Sequence, residues 1–165
     1  MENLIVPGAV VQLTPRVRRL TAPNPGMMTG PGTNSYIIGS DELTVIDPGP
    51  EIDTHIALLI ETVGRRLKRI FTTHTHFDHS PAVHALKAAT GAEVLGMRAP
   101  PQANQDQQFA PDRVPAHGEL VDCGGFSLRV VHTPGHASNH LCYLLVEDKL
   151  LFTRSEEHTS ELQSH

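Results

Sequence analysis

Residues 69–79, Arg-Ile-Phe-Thr-Thr-His-Thr-His-Phe-Asp-His, decide how this chain folds and what it can bind. A short apolar run ends there in three histidines and an aspartate within six residues. Because alternate residues of an extended strand project to the same side, His74 and His76 can present their imidazoles to one point. Asp78 and His79 follow as the chain turns, so they suit a neighbouring second ion or a supporting position. Neutral imidazoles and carboxylates bind zinc and iron, and the segment therefore predicts a metal site.

The segments on either side of this stretch alternate between strand and helix patterns. Residues 34–38 and 43–47 predict a hairpin, 52–67 and 81–90 predict helices, and Gly91 is a predicted C-cap. Further strands are predicted at 10–20, 69–73, 92–96, 126–131, 141–146 and 150–152, and an exposed loop at 98–117. Strands followed by helices predict α/β layering. The helix positions of His55 and His84 predict solvated side chains.

The amino-acid composition restricts the binding partners and the cellular location that we expect. The 165-residue chain has a formal charge of −5, which argues against a general binder of nucleic acid or anionic membranes. No apolar run approaches the roughly 20 residues that a membrane span needs. The first 20 residues lack the continuous apolar stretch of a signal peptide. Two cysteines do not make a disulfide framework, so we expect reduced thiols and a cytoplasmic location.

Four features together resemble the metallo-β-lactamase superfamily over residues 8–153. The pattern His-x-His-x-Asp-His at 74–79 looks like the hallmark of that family, and Thr133-Pro134-Gly135-His136 resembles its second motif. Asp47 before Pro-Gly resembles its buried aspartate. Residues 32–36, Gly-Thr-Asn-Ser-Tyr, resemble the opening of its glyoxalase II-like and LACTB2-like branches. The resemblance implies an α/β, four-layer αββα sandwich, here incomplete, with the first half and the start of the second sheet. We expect its inner faces to lack partners and to expose an apolar patch.

The resemblance also implies a set of metal ligands. His74, His76 and His136 would bind the first metal, and Asp78 and His79 would serve the second. Zinc is expected, with two ions in the intact parent and one or none in this chain, and iron or manganese could replace it.

Other roles follow from the same resemblance. Asp47 would fix the histidine loop from outside the ligand set, and Asp78 would be the catalytic carboxylate that manages the proton. His140 and Asn34 could line the pocket, although a structural role for His140 stays open.

The chain departs from the family after Thr153. The family places a Gly-Asp there, whose aspartate bridges both metals, and supplies a last histidine further on; here Arg154 and Ser155 follow instead. Residues 154–164 match the translation of a common short-read sequencing adapter at every position. We therefore predict a truncated metallo-β-lactamase-like domain at 1–153 and a non-native tail at 154–165.

The function implied is that of a metal-dependent hydrolase. A metal-bound hydroxide would attack a thioester, lactone or similar ester-like small molecule. One alternative is a single-strand-specific endoribonuclease of the LACTB2-like type, with single-stranded RNA as partner. Another is a non-catalytic metal-binding fragment, which the missing bridging carboxylate favours.

Overall fold

The computed structural model describes residues 5–26, 29–101, 103–133 and 140–153, and the backbone of 162–164. Within these residues the chain forms two β-sheets and two α-helices. The strands are β1 Val10–Gln12, β2 Val17–Thr21, β3 Asn34–Gly39, β4 Leu43–Ile46, β5 Leu67–Phe71, β6 Glu93–Leu95, β7 Leu120–Asp122, β8 Ser127–His132, β9 Leu141–Leu145, β10 Leu150–Phe152 and β11 Leu162–Ser164. The helices are α1 Asp53–Val63 and α2 Val83–Thr90.

The first sheet has the strand order β1-β2-β3-β4-β5-β6. Its first four strands pair antiparallel, and the predicted β3–β4 hairpin is confirmed, with Tyr36 opposite Ile46. From β4 onward the pairing is parallel, because α1 and α2 return the chain to the same edge before β5 and β6. The predicted C-cap is also confirmed: Gly91 adopts a left-handed φ of 73° and its N–H bonds Lys87 O.

The central strands of the first sheet are buried on both faces. In β3, Ile37 lies in a cluster with the helices, whereas its neighbours Tyr36 and Ile38 lie in the cluster between the sheets. The same alternation holds for β4, β5 and β6, with Val45, Ile70 and Val94 on the helix side and Ile46, Phe71 and Leu95 on the other. A period of two with apolar residues on both faces is typical of strands covered on both sides.

The second sheet, of order β11-β10-β9-β8-β7, is antiparallel throughout and packs on the first. Tyr143 meets Phe71 with ring centroids 4.9 Å apart, and Phe152 meets Tyr36 at 5.0 Å. The expectation that the inner faces lack partners is therefore wrong. Among the described residues both helices pack on the first sheet, and on the second sheet Leu120 of β7 is 50% exposed.

Two predicted elements differ from those observed, and one observed strand was not predicted. Residues 10–20 form two strands, because a turn at Thr14 to Val17 reverses the chain. The helix predicted at 52–67 ends at Val63, where Gly64 takes a positive φ and a 3-10 turn leads into β5. Strand β7 was missed because it has only three residues, of which Val121 alone is buried.

Two further observations concern the ends of the fold. Within the described part of the chain, no helix has the length and apolar character needed to cross a bilayer. Strand β11 lies in the segment predicted to derive from an adapter and pairs with β10. Any sequence can pair through its backbone, so this pairing does not test whether the segment is natural. The adapter origin of residues 154–165 and the domain boundary at 153 stay predictions.

Candidate metal centre

The histidine motif begins three residues after the end of β5, where the chain leaves the first sheet. His74 is 1% exposed, and its ring centroid lies 4.4 Å from that of His76. One ligand atom from each of His74, His76 and Asp78 can be chosen so that all three lie within 4.8 Å of one another. The fold thus brings these predicted ligands together in a group that could hold a metal ion.

Asp47 lies directly behind the motif and is 5% exposed. Its Oδ1 accepts a hydrogen bond from the Thr73 N–H at 2.7 Å, and its Oδ2 accepts one from the Thr73 hydroxyl at 2.7 Å. The same Oδ2 lies 3.1 Å from Nδ1 of His79. The Asp47 carboxylate therefore contacts both Thr73, which precedes the first predicted ligand, and His79, which ends the motif.

These contacts assign the protons of His74. The Thr73 hydroxyl has one hydrogen, which it donates to Asp47, so its contact of 2.8 Å with His74 Nδ1 requires that nitrogen to be the donor. In a neutral ring Nε2 then carries the lone pair, which is the state that a metal ligand needs. The chemistry of the donor set fits a bound cation.

His79 is oriented in the same way. Its Nδ1 donates to Asp47, so in the neutral ring Nε2 carries a lone pair, and Nε2 lies 3.4 Å from Oδ2 of Asp78. Two acceptor atoms face each other at this distance. Either a proton on His79 or a cation held by both groups stabilises the arrangement, which suits the predicted second ion.

A strained turn holds Asp47 in place. Asp47 has a φ of +56°, and Gly49 has a φ of +94°. The Gly49 N–H donates to His79 O at 2.9 Å, and Gly49 O accepts from Ala82 N at 2.9 Å. The turn therefore contacts the histidine motif through its backbone as well as through the carboxylate.

The second sheet contributes His140. Its ring centroid lies 5.7 Å from that of His74, it is 7% exposed, and its Nδ1 lies 2.6 Å from the Thr133 hydroxyl. Next to it, Leu141 N donates to Thr73 O at 2.7 Å, which ties β9 to the segment under the motif. His136 lies outside the described residues, so its ligand role stays a prediction. Thr133 and His140, which flank residues 134–139, both lie beside the candidate centre.

Asn34 was predicted as a further pocket residue. It is at the start of β3, where its side-chain oxygen accepts a hydrogen bond from the Thr21 hydroxyl at 2.6 Å. This bond supports the β2–β3 pairing. The pocket role of Asn34 stays a prediction.

The loop at 98–117 packs on the motif. Asp106 N donates to Thr75 O at 2.8 Å, and the Ser80 hydroxyl donates to Asp106 Oδ2 at 2.8 Å. Thr75 also donates to the side chain of Gln105. Most described residues of this loop are exposed, as predicted, but Asp106 is 9% exposed and Phe109 is 4% exposed, so part of the loop is buried.

Sequence reasoning missed two residues behind the turn. His55 was expected to be solvated, but it is 2% exposed and its Nε2 lies 2.8 Å from Pro48 O. Ser35 is fully buried and donates to Asp47 O at 2.6 Å. The available signal was the position of His55 four residues before Leu59, on the buried stripe of α1.

Comparison with known proteins agrees with the fold and the motifs. The family model of the metallo-β-lactamase superfamily matches residues 28–153, and the chain belongs to this superfamily. A lactamase-like protein of Pestalotiopsis microspora is 34% identical over 149 residues, which cover 87% of this chain and 44% of that protein. An atrochrysone carboxyl ACP thioesterase of Passalora fulva is 34% identical over 146 residues, covering 84% of this chain and 41% of the thioesterase.

Solved structures share the fold. A HARLDQ-motif mutant of a metallo-β-lactamase from Cronobacter sakazakii superposes with a TM-score of 0.68 at 20% identity, covering 89% of this chain and 60% of that one. A subclass B3 metallo-β-lactamase from a soil metagenome library gives a TM-score of 0.67 at 20% identity, with 92% and 60% covered. The chain spans less than half the length of the curated relatives named above, and the branch within the superfamily stays a prediction.

Proposed function

We propose that this protein is a metal-dependent hydrolase of thioesters. The observation that carries the proposal is the group formed by His74, His76 and Asp78, whose ligand atoms can lie within 4.8 Å of one another. The hydrogen bond from His74 Nδ1 supports it, because this bond leaves the lone pair of the ring on Nε2. We propose zinc as the ion, with iron or manganese as alternatives that accept the same ligands. His136 is proposed as a further ligand, and His79 as a ligand of a second ion.

A zinc ion held by these residues would acidify a water near neutral pH and polarise the scissile carbonyl. The chain's own groups do the remaining work. Oδ2 of Asp78 can accept a proton from the attacking water. Asp47 keeps His79 oriented through the contact with its Nδ1.

A thioester is the substrate class that we favour. The support is the relative from Passalora fulva, which is an atrochrysone carboxyl ACP thioesterase. A groove of about 550 Å³ lies beside the motif and is lined by Phe77, Ser80, His84 and Phe109, among others. Phe77 is 55% exposed and is part of the motif, so we assign the acyl portion of the substrate to this groove.

The test is hydrolysis of short acyl thioesters by the zinc-loaded protein, measured beside a lactone and a single-stranded RNA. Thioester cleavage should be preferred, and His76→Ala should lower kcat/KM by about 100-fold or more, since partners that only hydrogen-bond to ligands are already worth about 10–100-fold. His117→Ala, which changes an exposed histidine outside the group, should retain activity. Cleavage of RNA alone, or zinc binding with no hydrolysis of any substrate, would overturn the proposal.

A further inference from the structure

Two buried polar side chains, Ser35 on β3 and His55 on α1, face the carbonyl side of the turn formed by residues 47–49. The Ser35 hydroxyl donates to Asp47 O at 2.6 Å, and His55 Nε2 lies 2.8 Å from Pro48 O. The two side chains lie 3.4 Å apart. Consecutive carbonyls of the turn therefore each have a buried side-chain partner, supplied by a different element of the fold.

The protons of this pair follow from its partners. A carbonyl oxygen only accepts, so Nε2 of His55 carries the hydrogen and points it at Pro48 O. The single hydrogen of Ser35 goes to Asp47 O, so its oxygen presents a lone pair to His55 Nε2, whose hydrogen points mainly at the nearer Pro48 O. Burial lowers the pKa of His55, which keeps the ring neutral near pH 7.

The turn needs such support because its backbone is strained. Asp47 is a non-glycine residue with a φ of +56°, a conformation that persists where its surroundings over-determine it. At Gly49 a Cβ atom would lie 3.0 Å from Nε2 of His55, so only glycine lets the ring approach this closely. In this conformation the Asp47 carboxylate reaches both Thr73 and His79.

We propose that Ser35 and His55 are positioning residues of the candidate metal centre. By holding the carbonyls of Asp47 and Pro48, they fix the turn whose carboxylate orients His79 and Thr73, and through Thr73 the ring of His74. The inference rests on the metal site of the proposed function and is independent of the substrate. It assigns a role to two side chains whose described contacts are with the turn and with each other.

The experiment compares variants of the full 165-residue chain. Ser35→Ala and His55→Leu remove the two hydrogen bonds, whereas His55→Gln retains an amide N–H that can reach Pro48 O. His117→Leu, which changes an exposed histidine of the loop at 98–117, is the matched control. Zinc affinity is measured by competition with a chelator, the Co²⁺ absorption spectrum reports ligand geometry, and hydrogen exchange of the Thr73 amide is measured without metal.

Ser35→Ala and His55→Leu should each weaken zinc binding by about 10-fold or more, alter the Co²⁺ spectrum and speed exchange at Thr73. His55→Gln should recover most of the affinity, and His117→Leu should bind zinc as the unaltered chain does. If His55→Leu does not fold, Ser35→Ala decides the matter. Unchanged zinc affinity and unchanged Thr73 exchange in Ser35→Ala, and in His55→Leu where it folds, would overturn the proposal. Faster Thr73 exchange in a chain that binds no zinc would overturn the proposed function instead.

Discussion

The candidate centre has two parts that differ in how they are held, a floor of Asp47, Thr73 and His74 and a rim of His76, Phe77 and Asp78. The floor residues are at most 5% exposed and are joined by three hydrogen bonds of 2.7–2.8 Å. The rim is partly open to solvent, and Phe77 is 55% exposed. Folding alone therefore orders the floor, whereas the rim is open to a ligand.

This difference separates stability from binding. A change in the floor removes buried hydrogen bonds and should lower the free energy of unfolding, because donors left without an acceptor in the interior are costly. A change in the rim removes a ligand atom at little structural cost. Variants of the two parts should therefore divide into those that lose stability and those that lose only the metal.

The largest effect is expected for Asp47→Ala. The substitution leaves the Thr73 amide, the Thr73 hydroxyl and His79 Nδ1 without their acceptor, which should cost about 3 kcal/mol of unfolding free energy. Urea denaturation followed by circular dichroism measures it. Asp47→Asn, which retains one acceptor oxygen, should lose less, and equal stability of Asp47→Ala and the unaltered chain would contradict the account of the floor.

A smaller loss, about 1–2 kcal/mol, is expected for Asp106→Ala. This carboxylate accepts from the Ser80 hydroxyl and from Gln108 N, and so holds the loop at 98–117 against the motif. Limited proteolysis should cleave this loop faster in the variant. Gln108→Ala, which changes only an exposed side chain, is the control and should resist the protease as the unaltered chain does.

A pH-dependent effect is expected from His55. Burial lowers its pKa below the ordinary value of 6.5, so the unfolded chain takes up this proton at a higher pH than the folded chain. The free energy of unfolding should therefore fall as the pH drops through the unfolded pKa near 6.5, and stability from this site is fully present only above it. Urea midpoints of the unaltered chain and of His55→Gln give the contribution by difference. A fall in midpoint between about pH 7.5 and about pH 5.5 that is as steep in His55→Gln would count against a neutral buried ring.

The smallest change in stability is expected for His76→Ala, within about 0.5 kcal/mol because the side chain is partly exposed. Zinc affinity should nevertheless fall sharply, since one of the three grouped ligands is gone. Calorimetric zinc titration beside urea denaturation separates the two quantities. A loss of stability as large as that of Asp47→Ala would erase the distinction between floor and rim.

The sequence predicted the parts of the centre that lie close together along the chain. His74, His76, Asp78 and His79 fall within six residues, so their grouping follows from local backbone geometry. Asp47 was predicted only through the family resemblance, and its contacts with Thr73 and His79 span 26 and 32 residues.

The contacts that the sequence did not predict depend on docking of distant elements. Ser35 and His55 meet only because α1 packs on β3 and β4. The position of His55 on the buried stripe of α1 could indicate burial, but it does not identify Ser35 or Pro48 as partners. The same holds for Asp106, whose loop gives no periodic signal. In the fold, the hairpin and the helices were predictable from the spacing of apolar residues and from the Gly91 C-cap. Strand β7 has only three residues, which is too short to show such a pattern.

The central claim is that His74 and His76 bind one common cation, and that folding orders the floor before the cation binds. Anomalous diffraction at the zinc edge, from crystals grown with zinc, tests it most directly. We expect a strong peak about 2.0–2.1 Å from a ring nitrogen of each histidine, with the Asp47–Thr73 hydrogen bonds intact. Zinc bound elsewhere, or rings of residues 74 and 76 that turn away from any common ion, would contradict it.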